Sequence, residues 1–190
     1  MVAIDLSAFV SQISDRQLEK LSRENPETRF ETTKEGKLII MSPTGSASGK
    51  FNMSLAFQVE LWNRRTKLGV TFDSSTGFKL SNGAIKSPDV SWIELSRWNS
   101  LSDKQQRKFA PIDPDFIIEL ISPTDDITEL QQKMLEYIEC GVELGWLIDP
   151  DEKQVEIYRH NRDTEVLVNP SSLSGDDVLP GLIVDLQEIF

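Results

Sequence analysis

Along residues 114–150 the apolar positions change their spacing twice, from an unbroken run to a three-and-four repeat and back to a run. The first run, DFIIELI at 115–121, is closed by Ser122-Pro123 and fits a buried strand, whose pleat sends successive side chains to opposite faces. Asp115, Ile117, Glu119 and Ile121 then share one side, and Phe116, Ile118 and Leu120 the other. Next, Ile127, Leu130, Met134, Tyr137 and Ile138 recur at helical spacing. They predict a helix to about residue 139, capped by Thr124 or Asp125 and stopped by Gly141. Residues 144–148 form the second run, ended by Asp149-Pro150. Strand, helix and strand make one βαβ unit, which favours a parallel pair joined by a right-handed crossover.

The rest of the chain is read in the same way. Ser14 or Asp15 starts a short helix over 16–22, which Asn25-Pro26 breaks. Residues 30–33 and 37–41 flank Lys34-Glu35-Gly36 and predict a β-hairpin. After a loop at 42–46, Phe51, Leu55, Val59 and Trp62, with Ala56 beside them, mark the buried face of a helix over 47–66 that stops at Gly69. Extended pieces follow at 70–74, 78–80 and 87–94, with Ser81-Asn82-Gly83 as a turn. Residues 95–113 are polar and turn-rich, with Trp98 as a packing anchor. A second hairpin is predicted from 155–159 and 166–168, and the tail LPGLIVDLQEIF docks a last apolar segment. The chain carries no repeat, low-complexity tract or linker, so the expectation is one α/β domain over 1–190, built on a mixed sheet.

Composition narrows this picture. With 190 residues, 38% apolar and 27% charged, the chain can bury a sizeable core. No segment approaches the ~20 apolar residues of a membrane span. The N-terminus MVAIDLSAFVSQ lacks the basic start of a secretion signal, so a cytoplasmic location is expected. The single cysteine, Cys140, cannot form an internal disulfide and reads as a packed, inert thiol at a helix end. The formal net charge is −11. Nucleic-acid binders ordinarily show a basic footprint. Here the basic clusters are small: Arg64-Arg65 with Lys67, Lys104 with Arg107 and Lys108, and Arg159-His160 with Arg162.

Glu119 is the residue that demands an explanation, because a carboxylate inside an apolar run must be paired, protonated or bound to a cation. Asp115 shares its strand face but lies about 13 Å away at four strand residues, too far to hold one small cation with it. Asp89 opens a separate strand that can lie beside the first, about 4.8 Å away. Asp89 and Glu119 therefore form the candidate metal pair. On the covering helix, Lys133 falls at the border of the apolar stripe. A lysine there either snorkels to solvent or turns its tip back toward the sheet; Gln131 and Gln132 have weaker claims. Serine and zinc chemistry are poorly served by one His, His160 in a polar turn, and one Cys.

SPDV at 87–90, PDFIIELISPTDD at 114–126 and KMLEYIECGVELGWLIDP at 133–150 together resemble the Uma-type family of restriction endonucleases, within the PD-(D/E)xK nuclease superfamily. RFETTKEGKLIIMSPTG and LPGLIVDL extend the likeness over nearly the whole chain. The resemblance implies a restriction-endonuclease-like fold, with a central mixed sheet flanked by helices and an N-terminal β-hairpin. It also implies hydrolysis of DNA phosphodiesters with Mg²⁺ or Mn²⁺. It makes Asp89 the Pro-Asp carboxylate and Glu119 the acid of the third core strand. The superfamily lysine two residues later is Ile121 here, a departure, and the family places a lysine at Lys133 instead. Glu31 is a further acidic position, either a third metal ligand or support for the ligands, with an exposed strand-edge charge as the competing reading. On this reading Asp89, Glu119 and the Leu120 carbonyl hold the metal, and Lys133 orients the attacking water. The charge of −11 implies weak intrinsic DNA affinity, which a homodimer would offset by doubling a positive patch. The alternative is an inactive protein of the nuclease fold that acts through protein contacts.

Overall fold

The computed structural model describes residues 2–3, 13–41 and 43–190. Residues 1 and 4–12, on which the reading of the N-terminus rests, lie outside the described residues, as does Ser42.

In chain order the elements are β1 Val2–Ala3, α1 Asp15–Glu24, β2 Arg29–Thr32, β3 Leu38–Met41, α2 Ser46–Thr66, β4 Gly69–Asp73, β5 Phe78–Lys79, β6 Ile85–Lys86 and β7 Val90–Glu94. There follow α3 Leu95–Asn99, α4 Asp103–Gln106, β8 Phe116–Leu120, α5 Ile127–Glu139, β9 Leu144–Asp149, β10 Gln154–Arg159, β11 Glu165–Val168, β12 Ser172–Ser174 and β13 Ile183–Asp185. Among the described residues the strands form a six-stranded sheet ordered β11-β10-β9-β8-β7-β4, a five-stranded sheet ordered β1-β3-β2-β6-β5, and the pair β12-β13. The six-stranded sheet is mixed: β8 and β9 run parallel, as the βαβ reading requires, and its other pairs are antiparallel.

The alternation read along β8 sets the layers. Phe116, Ile118 and Leu120 pack with Leu55, Val59 and Trp62 of α2 and with the C-terminal Leu179, Leu182 and Val184. Phe116 and Trp146 meet edge-on at 4.7 Å, a contact worth about 0.5–1.5 kcal/mol beyond its area. Ile117, on the opposite face, packs with Leu130, Met134 and Tyr137 of α5. The helix comes very close there, since a Cβ on Gly145 would stand 2.7 Å from Met134 Cε. The hairpin β2–β3 forms as expected but belongs to the second sheet, between α1, which covers Phe30, Leu38 and Ile85 through Leu18, and the end of α5.

Several boundaries differ from the sequence reading. Helix α2 ends at Lys67, which takes the left-handed conformation at φ 57. Gly69 is not the stop; it begins β4, where a Cβ would lie 2.2 Å from the Ile93 carbonyl oxygen. Asp126, not Thr124 or Asp125, caps α5 by accepting from the Thr128 and Glu129 N–H groups. The extended piece at 87–94 shortens to Val90–Glu94, and 78–79 and 85–86 pair with each other and with the hairpin. Residues 95–113 contain α3 and α4, and Trp98 packs edge-on against Phe72 at 5.0 Å. Among the described residues no helix is long and apolar enough to cross a membrane.

Candidate active site

The site starts where β7 gives out beside β8. Their register pairs Val90 with Ile118, so continuing it by one step sets Asp89 opposite Glu119. Asp89 does not extend the ladder with its backbone. Its Oδ2 accepts the Leu120 N–H at 2.9 Å, and Asn52 of α2 donates to Oδ1 at 2.9 Å. A side-chain carboxylate thus serves a strand N–H that has run out of partner strand.

Glu119 lies on the α5 face of β8 and is 4% exposed. Lys133 Nζ stands 2.7 Å from its Oε1, and the Tyr137 hydroxyl donates to the same oxygen at 3.0 Å. Lys133 and Tyr137 are four residues apart on α5 and so point from one helix face to one acceptor. Lys133 also donates to Glu31 Oε1 at 3.0 Å, and the Ser87 N–H donates to that oxygen at 3.0 Å. Behind it, Lys86 Nζ is 3.9 Å from Glu31 Oε2 and 3.2 Å from Glu136 Oε2. Lys133 therefore ties the second sheet to the central one.

Three carboxylates share this corner with two lysines, one of which also serves Glu136, and their acidities diverge accordingly. Burial pushes the Glu119 carboxyl up to about 7; Lys133 works against this, while Asp89 and Glu31 add to it. Asp89 keeps some surface in the cleft, but the protein packed around it raises its carboxyl too, against the Leu120 N–H and Lys133. Burial also presses on Glu31, yet Lys133, Lys86 and the Ser87 N–H outweigh it and hold that carboxyl below its ordinary value. For Lys133, burial favours the neutral amine, and Glu119 with Glu31 more than reverses this, so the ammonium is held firmly charged. Tyr137 is pushed well above its usual value by burial and by Glu119, and stays a neutral donor.

A cleft of about 460 Å³ opens over Asp89, Glu119, Leu120 and Lys133, with Arg29, Ser122 and the start of α2 at its rim. A larger groove of about 1010 Å³ lies between α1, Lys79 and the α4 region. It lacks paired buried carboxylates but collects Arg16, Lys20, Arg23, Lys79, Lys104 and Lys108. Ion pairs engage Lys20 with Glu24, Lys79 with Asp15 and Lys108 with Glu19 in that groove, as they do Arg64 with Glu60 and Arg159 with Glu165 and Asp176 elsewhere.

Of the residues singled out from the sequence, Asp89, Glu119, Leu120 and Lys133 line one cleft. Lys133 is not at a border that reaches solvent: it is 6% exposed, whereas Ile127, placed in the buried stripe, is 44% exposed. Glu31 is fully buried, which removes the reading as an exposed edge charge, and it stands behind Lys133 rather than on the cleft wall. Asp115 is engaged elsewhere, by Arg97 and the Glu94 N–H. Gln131 bonds Glu156, His160 is exposed, and burial pushes up the half-buried Cys140 thiol. Tyr137, Asn52, Lys86 and Arg29 were not foreseen. Tyr137 fits its apolar stripe so well that its hydroxyl gives no sign, whereas Asn52, next to Phe51 on a partly buried helix face, is a signal that could have been used. Among the described residues no three His, Cys, Asp or Glu side chains gather as a metal centre.

The Uma2 family model, described as "Putative restriction endonuclease", matches residues 15–187. No curated protein matches. Among solved structures, "a putative nuclease belonging to DUF820 from Anabaena variabilis ATCC 29413" is 23% identical, with 86% of this chain and 90% of that one covered and a TM-score of 0.73. At that identity the likeness bears on the fold.

Proposed function

The chain belongs to the Uma2 family, and from that membership we propose that it is a divalent-metal-dependent endonuclease that hydrolyses phosphodiester bonds in DNA. The observation that carries the reading is the Lys133 ammonium, held 2.7 Å from Glu119 Oε1 on the wall of the cleft that Asp89 also lines.

The donors suit a hard cation. Mg²⁺ is commonly held by one or two carboxylates and keeps several waters. Burial raises both Asp89 and Glu119 above their ordinary values, and a cation between them would offset that penalty by favouring the ionised carboxylates. The Lys133 and Tyr137 contacts both fall on Glu119 Oε1, so neither takes Oε2. N–H and C=O of one strand residue project to the same side, so the Leu120 carbonyl follows its N–H toward Asp89. Asp89, Glu119 and the Leu120 carbonyl would hold Mg²⁺ or Mn²⁺, which would supply a water of lowered pKa and polarise the phosphate. Lys133 contributes a fixed positive charge for the attacking water or for the negative charge developing on the phosphoryl oxygens. Tyr137 keeps Glu119 oriented.

The test is cleavage of plasmid and single-stranded DNA with Mg²⁺ or Mn²⁺ by the native protein, Glu119→Gln and Lys133→Ala. Activity only in the native protein, lost on chelation, is expected. Cleavage that survives both substitutions, or chelation, overturns the assignment. A cytoplasmic location and a homodimer belong to the same reading, the dimer because two copies would double a positive surface on a chain of net charge −11. That charge also favours a second reading, an inactive nuclease-fold protein acting through protein contacts; it predicts no calorimetric Mg²⁺ binding at Asp89 and Glu119.

A further inference from the structure

Helix α2 begins at the rim of the cleft without a cap. Gly45, at the N-cap, has no side chain to accept a bond, and the first turn contains no acidic residue. The N–H groups of Ser46, Ala47 and Ser48 find no acceptor among the described residues. A helix of 21 residues presents about half a positive charge at such an end, and free N–H donors converging there form an anion seat.

Two independent observations point to a ligand. Ser48 is 8% exposed and lines the cleft, yet its hydroxyl makes no hydrogen bond among the described residues. A nearly buried hydroxyl left idle toward a cavity is a donor in want of an acceptor. Arg29, on the facing strand β2, lines the same cleft. Its Nη1 donates to the Ser74 carbonyl at 2.9 Å, which fixes the guanidinium while leaving its other donors for use. The space in front of the turn is open, since a Cβ on Gly45 would meet nothing within 4 Å.

We propose that Arg29, Ser48 and the N–H groups of Ser46 and Ala47 form a phosphate subsite, which seats a backbone phosphate of the nucleic acid next to the one being cleaved. The identity of the ligand rests on the nuclease reading above; the existence of an anion seat does not. The subsite answers an electrostatic difficulty. Asp89 and Glu119 repel a polyanion from the cleft, and the chain as a whole adds to that repulsion. A helix end and one guanidinium place positive potential only where a phosphate must rest. Contacts of this kind set the register of the strand and read no bases, so the subsite predicts positioning without sequence preference.

Gly45→Asp separates a binding role from a structural one. At φ −67 and ψ 160 an aspartate is unstrained and caps its own helix, so the melting temperature is kept or raised while a carboxylate occupies the anion seat. Binding of a fluorescein-labelled single-stranded DNA, followed by anisotropy in EDTA, is expected to weaken about tenfold in Gly45→Asp and in Arg29→Gln. Glu119→Gln, by contrast, is expected to bind as tightly as the native protein or more so. Unchanged DNA affinity in a folded Gly45→Asp protein overturns the proposal. If calorimetry shows Gly45→Asp losing inorganic phosphate while DNA binding is unchanged, the seat is one for free phosphate and the backbone assignment falls. If Gly45→Asp weakens DNA binding but the native protein cleaves nothing with any divalent metal, the subsite stands and the nuclease reading fails.

Discussion

Lys133 and Glu119 stand 2.7 Å apart, each almost sealed from water, and the lysine comes from a helix while the acid comes from the strand it covers. A buried ion pair contributes little net stability when intact, but removing one partner strands the other and costs about 3–5 kcal/mol. Lys133→Ala strands two carboxylates, Glu119 and Glu31.

Lys133→Ala is therefore expected to lower stability by about 3–5 kcal/mol at neutral pH and to abolish cleavage. Lys133→Met in the Glu119→Gln, Glu31→Gln background recovers most of the stability and none of the activity. Urea denaturation and plasmid nicking check both halves.

Glu119 gives the protein a pH-dependent weakness. Its carboxyl rises from 4.5 to about 7 on folding. Below the lower value both states bind the proton; between the two the folded state keeps a proton that the unfolded chain has lost. The favourable contribution of Glu119 therefore fades as pH climbs through that window. In EDTA, the stability of the native protein minus that of Glu119→Gln is expected to fall from pH 4.5 to pH 7, measured by denaturant unfolding. Mg²⁺ should reverse the loss, binding more tightly as pH rises, because it needs the ionised acid.

Glu31 tests positioning apart from metal binding. It holds Lys133 from behind and lines no part of the cleft. At a pH well above that at which Glu119 ionises, Glu31→Gln is expected to leave Mg²⁺ affinity by calorimetry nearly unchanged and to lower kcat about ten- to a hundredfold, the cost of a loosened catalytic group. Equal activity would show that Glu119 alone suffices to fix Lys133.

Gly69→Ala probes the start of β4. Its Cβ would meet the Ile93 carbonyl oxygen at 2.2 Å and the Trp92 ring at 2.3 Å. Because backbone cannot move aside as a side-chain tip can, a loss of about 3 kcal/mol or more is expected, read as a lower denaturation midpoint.

The sequence carried the elements well and their grouping less well. The alternation at 115–121 and the repeat along α5 mark both faces of β8 and the parallel crossover, because one period answers to one buried surface. That the hairpin joins Phe78–Lys79 and Ile85–Lys86 in a separate sheet depends on pairing between distant two-residue strands, too short for any period to register. At the site, Asp89 was reachable from strand spacing, and Glu119 from the oddity of an acid in an apolar run. Lys133 was placed one step too far outward. The stripe on α5 is turned toward Lys133 and away from Ile127, because buried acids on two sheets stabilise an ammonium as an apolar wall cannot. Glu31 stays open in the sequence between a role at the site and an exposed edge charge, and Lys86 carries no signal, for the same reason: their partners are supplied by tertiary structure alone.

Lys133 grips Glu31 across 102 positions of chain and Glu119 across the βαβ unit. Neither sheet alone can hold it still. An incompletely folded chain would carry all the residues of a hydrolytic centre and none of its geometry, so competence would arrive only once the hairpin sheet has docked. On the nuclease reading proposed above, this delay is a safeguard: no phosphodiester is attacked before the chain has folded.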